Sequence, residues 1–233
     1  IMNKCLIFLI FLIPQMTYAQ HYVNKIIPFP FGNPNFKNIE YFNGKYVIPV
    51  VYPSDSSTLI VTDLNTETYY HYVDFVFSLS AMTIVDNEMY LYAKDRNFSN
   101  DLQFARLNND FTYNWKKEIH TAGDFNFPLS SISLGRNVFA TYIFETGNIR
   151  KFGIFNIKPD GTIKWNKVYD NNLKYATLWD LDSRNGNYIL GSYNVTYTND
   201  FNSSVRVIKI DTSGQEIWKS DTLRGVNDND DPV

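Results

Sequence analysis

Tryptophan recurs at a fixed place in a repeating segment of this chain, and that recurrence limits the fold more than any other feature of the sequence. Three segments run through an alternating apolar strand and a polar turn to a tryptophan: Phe104 to Trp115 (FARLNNDFTYNW), Gly153 to Trp165 (GIFNIKPDGTIKW) and Arg206 to Trp218 (RVIKIDTSGQEIW). The tryptophans lie 50 and 53 residues apart, and a degenerate copy, Leu59 to Tyr70 (LIVTDLNTETYY), puts Tyr70 in the same slot 45 residues before Trp115. Gly161 and Gly214 punctuate the turn in two of the copies.

A second feature precedes each slot: a turn followed by a β-prone run. It reads NGKYVIPVVY from Asn43, DNEMYLYA from Asp86, GRNVFATYIF from Gly135 and NGNYILGSY from Asn185, each with a short apolar segment before it. Each repeat therefore predicts four strands, with period-2 alternation clearest over Val205–Ile210. No stretch after the first nineteen residues carries sustained helical spacing. Four-stranded units of this length cannot bury both faces alone and stack radially, so the expected fold is all-β, a β-propeller-like array of four four-stranded antiparallel blades.

The expected boundaries are a signal peptide at 1–19, an N-terminal segment at 20–35, blades at 36–77, 78–124, 125–174 and 175–226, and the start of a truncated next blade at 227–233. The run NKIIPFPF from Asn24 resembles NKVYDN from Asn166 and reads as an orphan outer strand. The array is expected to be an incomplete, open propeller whose missing C-terminal blades belong to a longer parent chain. Its bare edges predict aggregation or oligomerisation of the isolated chain.

Residues 1–19 carry Lys4, an apolar stretch from Cys5 to Ile13, Pro14 and then Ala19, the pattern of a leader cut before Gln20. The apolar run is far shorter than the roughly 20 residues a spanning helix needs, so no membrane insertion is expected and the chain reads as secreted or cell-surface. Cys5 is the sole cysteine, which leaves the mature chain without a disulfide or a thiolate ligand. A net charge of −3 with mixed signs gives no basic stripe for nucleic acid.

The run GNYILGSY (Gly186–Tyr193) followed by VRVIKIDTSGQEIW (Val205–Trp218) resembles the repeats of secreted bacterial propeller proteins exported by the type IX system. The resemblance extends over Gly153–Trp218, thins over Asp86–Trp115 and is faint over Asn43–Tyr70. It implies a secreted or cell-surface protein, normally longer, often with a C-terminal sorting domain. Asp211 to Trp218 also resembles the tryptophan-docking motif of pyrroloquinoline-quinone (PQQ-like) propellers, with one residue fewer between Asp and Gly. That resemblance implies a blade-packing role and no cofactor, because the motif is distinct from the quinone site.

Trp115, Trp165 and Trp218 could form a carbohydrate-stacking row, but their fixed slot favours packing between blades. Trp179 lies outside the slot and is the better binding candidate. Asp180, Asp182, Asn185 and Asn187 make a sparse candidate calcium loop. Arg184 takes a ligand position, however, and the equivalent stretches elsewhere are ordinary hairpin turns. His21, His71 and His120 are scattered with no i, i+4 pair, which argues against a histidine metal site.

No nucleophile elbow, P-loop or dinucleotide motif is present, and no catalytic residue is assigned. The residues read at the ends of the innermost strands, Glu40, Tyr41, Asp86, Ser133 and Asp180, are sparse for a catalytic channel. The expected function is a non-catalytic binding or scaffolding module for an extracellular protein or glycan. The alternatives are a fragment of an extracellular propeller enzyme (a hydrolase, lyase or quinone-dependent oxidoreductase) with catalytic residues partly in missing blades, and a nonfunctional gene remnant.

Overall fold

The computed structural model describes residues 35–36, 39–51, 57–62, 68–71, 78–94, 101–121, 125–147, 149–169, 175–184, 188–196 and 203–221. Residues 1–19, expected to be a leader, the run from Asn24, Asn185, Asn187 and the segment 227–233 lie outside them. All described residues belong to one compact unit, Phe31–Val233. Among them there is no helix, and none therefore long and apolar enough to cross a membrane.

Antiparallel hairpins follow one another along the chain. The first sheet holds β1 (Asn35–Phe36), β2 (Glu40–Phe42), β3 (Lys45–Val51), β4 (Ser57–Thr62) and β5 (Thr68–His71). Both β1 and β2 pair with β3, Phe36 opposite Val50 and Glu40 opposite Val47, as two pieces of one interrupted innermost strand. The second sheet is β6 (Ser78–Val85), β7 (Glu88–Lys94), β8 (Leu102–Leu107) and β9 (Tyr113–Ile119). The third is β10 (Phe125–Leu134), β11 (Asn137–Thr146), β12 (Ile149–Ile157) and β13 (Ile163–Tyr169). The fourth is β14 (Tyr175–Arg184), β15 (Tyr188–Thr196), β16 (Ser203–Asp211) and β17 (Glu216–Lys219), joined to the third by the single parallel bridge of Tyr175 to Arg150. The fold is an all-β, propeller-like array of four antiparallel blades.

Turn chemistry fixes the first hairpin of the first two blades. Asn43 and Gly44 have φ of 49° and 78°, and Asp86 and Asn87 have 48° and 59°, the left-handed pair that a two-residue loop needs to match strand twist. Successive turns are also tied together. The Asn87 amide donates to Asn43 Oδ1 at 2.9 Å, and Arg136 Nε donates to Asp86 Oδ2 at 2.7 Å.

The core lies between blades rather than within them. Alternate residues of one strand serve two different interfaces, because successive side chains point to opposite faces. On β7, Met89, Leu91 and Ala93 pack with Val47, Leu59 and Val61 of the first blade. Tyr90 and Tyr92 of the same strand pack with Val138, Ala140 and Tyr142 of the third. Phe139, Phe152 and Ile154 turn the other way and meet Ile189, Ile208 and Ile210 of the fourth. Each such side chain, when fully buried, contributes about 1.5–3 kcal/mol.

Gly153 on β12 permits one close approach within the third blade. A Cβ there would collide with the Tyr142 ring. That ring cannot retreat easily, since it stacks on Phe155 at 4.4 Å and its hydroxyl donates to Asn166 Oδ1 at 2.8 Å. Gly153→Ala should therefore destabilise the chain by about 1–3 kcal/mol, the range typical of overpacking, as read from the midpoint of urea unfolding.

Candidate functional site

The outer hairpins of the second, third and fourth blades end in one bulged turn with the same backbone hydrogen bonds. Gly161 N donates to Lys158 O at 2.8 Å and Lys158 N to Thr162 O at 2.9 Å; Gly214 and Asp211 repeat the pair at 2.9 Å each, and Phe111 and Asn108 at 3.0 and 2.8 Å. Register shifts at Arg106/Leu107, Asn156/Ile157 and Lys209/Ile210 mark the bulge, and the residue in the left-handed position is Phe111 (65°), Gly161 (78°) or Gly214 (76°). Side chains lock the turn from inside. Asp160 Oδ1 accepts from Thr162 N at 2.8 Å and from the Thr162 hydroxyl, and Asp211 Oδ1 accepts from Ser213 N, Ser213 Oγ and Gln215 N at 2.7–2.8 Å. These donors hold both carboxyls below the usual aspartate range.

The tryptophans of the second and third blades each meet the glycine of the next blade. A Cβ on Gly161 would lie 2.8 Å from Trp115, and one on Gly214 would lie 2.9 Å from Trp165. Trp165 Nε1 also donates to Thr212 O at 3.1 Å, where the Asn156 amide arrives at 3.2 Å. Trp218 departs from the packing role expected for its slot, since no described turn covers it and it is 52% exposed. Tyr70 lies on β5, and in the second blade Phe111, in the place that glycine takes in the later turns, packs edge-on against Phe42 of the first blade at 6.2 Å.

The described turns at Asn43–Gly44, Asp86–Asn87 and Gly135–Arg136 and the three bulged turns lie at one end of their blades, opposite the connection end, at which β9 and β13 finish. The innermost strands β6, β10 and β14 are each interrupted, at Leu79/Ala81, Pro128/Ser131 and Leu178/Asp180. Such bulges re-aim side chains and are over-represented beside active sites. Trp179 sits in the third of them, with Asp180 and Asp182 following on β14. Hydroxyls satisfy the second: Ser130 N donates to Thr141 Oγ1 at 3.1 Å, and Ser131 contacts Thr83 of the neighbouring blade.

Sequence reasoning missed one constellation at the connection end. Asp101, Glu118 and His120 bring their donor atoms within 4.8 Å of one another, with His120 Nδ1 2.8 Å from Asp101 Oδ1. The carboxylate raises the imidazole above its ordinary pKa. The signal was the i, i+2 spacing of Glu118 and His120, which puts both on one strand face. The third member comes from a paired strand and needs the register to be found. At the matching positions the third blade has Lys151, Val168 and Asp170, so the fold itself does not require the group. Its donor set suits a divalent cation and equally satisfies itself as an ion pair. At the turn end, a shallow groove of about 470 Å³ is lined by Arg136, Lys158, Asp160 and Lys164.

No protein-family model matches the chain, and no curated protein does. Solved structures do. A GH43 β-1,3-galactosidase matches with a TM-score of 0.52 and 14% identity over 81% of this chain and 46% of its own. An acylaminoacyl peptidase of Pyrococcus horikoshii matches with a TM-score of 0.50 and 10% identity over 82% and 33%. The Nup133 β-propeller domain of Vanderwaltozyma polyspora matches with a TM-score of 0.44 and 13% identity over 88% and 67%. The chain thus spans about half of the galactosidase and a third of the peptidase. Similarity at this level is one of fold.

Two predictions test this geometry. Trp165→Ala should cost on the order of 3 kcal/mol of unfolding free energy, whereas Trp218→Ala should change it by less than about 0.5 kcal/mol, as for other exposed sites. Asp160 and Asp211 bind a proton more weakly folded than unfolded, so their contribution is complete above the unfolded value and is lost as pH falls through the folded one. The stability gap between wild type and Asp211→Ala, measured by urea unfolding, should be present at pH 7 and shrink steadily below about pH 4.

Proposed function

We propose that this chain is part of a secreted, cell-surface propeller that acts as a non-catalytic binding module, presenting the connection end of its blades to an extracellular glycan or protein. One observation carries the reading. The residues that repeat from blade to blade are engaged in docking blades together, while residues that do not repeat, Trp179 in its inner-strand bulge and the Asp101, Glu118 and His120 group, lie elsewhere. In a repeat protein, a side chain absent from its sister positions is not required by the shared blade fold. The extracellular setting rests on the leader pattern and on the resemblance of Gly153–Trp218 to type IX-exported repeats.

A second reading, a portion of a glycan-processing enzyme, is favoured by Asp180 and Asp182 on the same inner strand as Trp179 and by the fold shared with the galactosidase. Binding and hydrolysis separate in one experiment. The full chain is run in native gels cast with β-1,3-galactan and other cell-surface polysaccharides, and reducing ends are assayed in parallel. Retardation without sugar release is expected, with at least a tenfold loss on Trp179→Ala. Sugar release would move the protein to the enzymatic reading. A mobility that no polysaccharide changes would remove the glycan and leave a protein partner.

A further inference from the structure

The face of the fourth blade beyond β17 has the make-up of a joint. In the second blade, Tyr90, Leu102, Phe104 and Trp115 face the third blade and form a stripe that it covers. In the third, the corresponding stripe of Phe139, Phe152, Ile154 and Trp165 is covered by the fourth. Strand register carries the same stripe onto Leu190, Val205, Val207 and Trp218 of the fourth. The first three are half-buried and Trp218 is 52% exposed, with Ile217 beside it at 55%.

The two covered examples specify what fits. The partner must bring a bulged turn whose left-handed residue lacks a Cβ, because the indole edge comes within 2.8–2.9 Å of where that carbon would be. A carbonyl two residues before the glycine can add a hydrogen bond, as Thr212 does for Trp165, but the joint does not require one, since Trp115 Nε1 has no acceptor. One accessory contact is missing. The Lys117 and Lys167 stems also press on the glycine, but the matching residue after Trp218 is Ser220, whose hydroxyl accepts from Val207 N within its own blade at 2.9 Å.

A second copy of this chain does not meet these terms. Gly161 and Gly214 are already occupied by Trp115 and Trp165. Counting back from Tyr70, the glycine position of the first repeat is Thr66, which carries a Cβ. The outward face of the first blade is also covered already, since Val50, Thr58 and Ile60 are 0%, 1% and 0% exposed. The same facts argue against closure of these four blades on themselves through Trp218.

We infer that Trp218 and its stripe are a docking face for a fifth blade of the same repeat type, carrying glycine in its bulged turn and following this chain in the same polypeptide. The inference is independent of what the connection end binds.

The test extends the full chain by a duplicate of residues 175–221, which brings a Gly214-type turn, and reads each tryptophan by hydroxyl-radical footprinting with mass spectrometry. In the unextended monomer, Trp218 should be labelled several-fold faster than Trp165. In the extended chain it should fall to within about twofold of Trp165, while the new terminal tryptophan becomes the fast one. Replacing the added glycine with threonine should restore fast labelling of Trp218. Four outcomes would overturn the inference: slow labelling in the unextended monomer, meaning residues 222–233 cover the face; protection that appears only as sedimentation shows dimers; a folded extension that leaves Trp218 fast; or an extension that stays unfolded on this face.

Discussion

Every blade of this chain depends on burial contributed by its neighbour. A four-stranded sheet has two apolar faces, and neither is covered by its own hairpins. Met89 and Tyr90 are adjacent in sequence yet belong to cores shared with different blades. Stability is therefore a property of joints, with each sheet acting mainly as the plate between two of them. Large tryptophan rings sit at the rim of these joints, where a Cβ-free residue on the facing turn lets the ring close the gap.

This arrangement explains how much of the fold was legible in the sequence. The spacing of Trp115, Trp165 and Trp218 encodes the repeat because the same joint must be built again each time, and Gly161 and Gly214 recur for the reciprocal reason. Inner-strand bulges were not legible. An extra residue in Leu178–Asp180 leaves no mark on composition, and it shows only as a shift of register against β15. The grouping of Asp101 with His120 was hidden for a similar reason, as it depends on the pairing of β8 with β9. Trp218 shares the spacing of Trp115 and Trp165, yet it is half exposed, because its slot alone cannot supply burial. A docking residue is only half of a contact.

The division between the two ends of the blades bears on function. Turn ends are constrained by positive-φ residues, by Asp side chains folded back on their own backbone and by turn-to-turn links such as Arg136 with Asp86. The group of Asp101, Glu118 and His120, whose donor atoms converge, lies instead at the opposite end of its blade. Variation at that end leaves the joints untouched, which makes it the natural place for recognition.

Phe111 gives the first joint a character of its own. It holds the left-handed position that glycine holds in the later turns, and it does so with a buried ring against Phe42. Exchange of the second blade for a copy of the third or fourth would put glycine in that place and leave Phe42 without its edge-on neighbour. The third and fourth blades, with Gly161 and Gly214 at the matching position, are in this respect interchangeable stock, whereas the second is cut to fit the first.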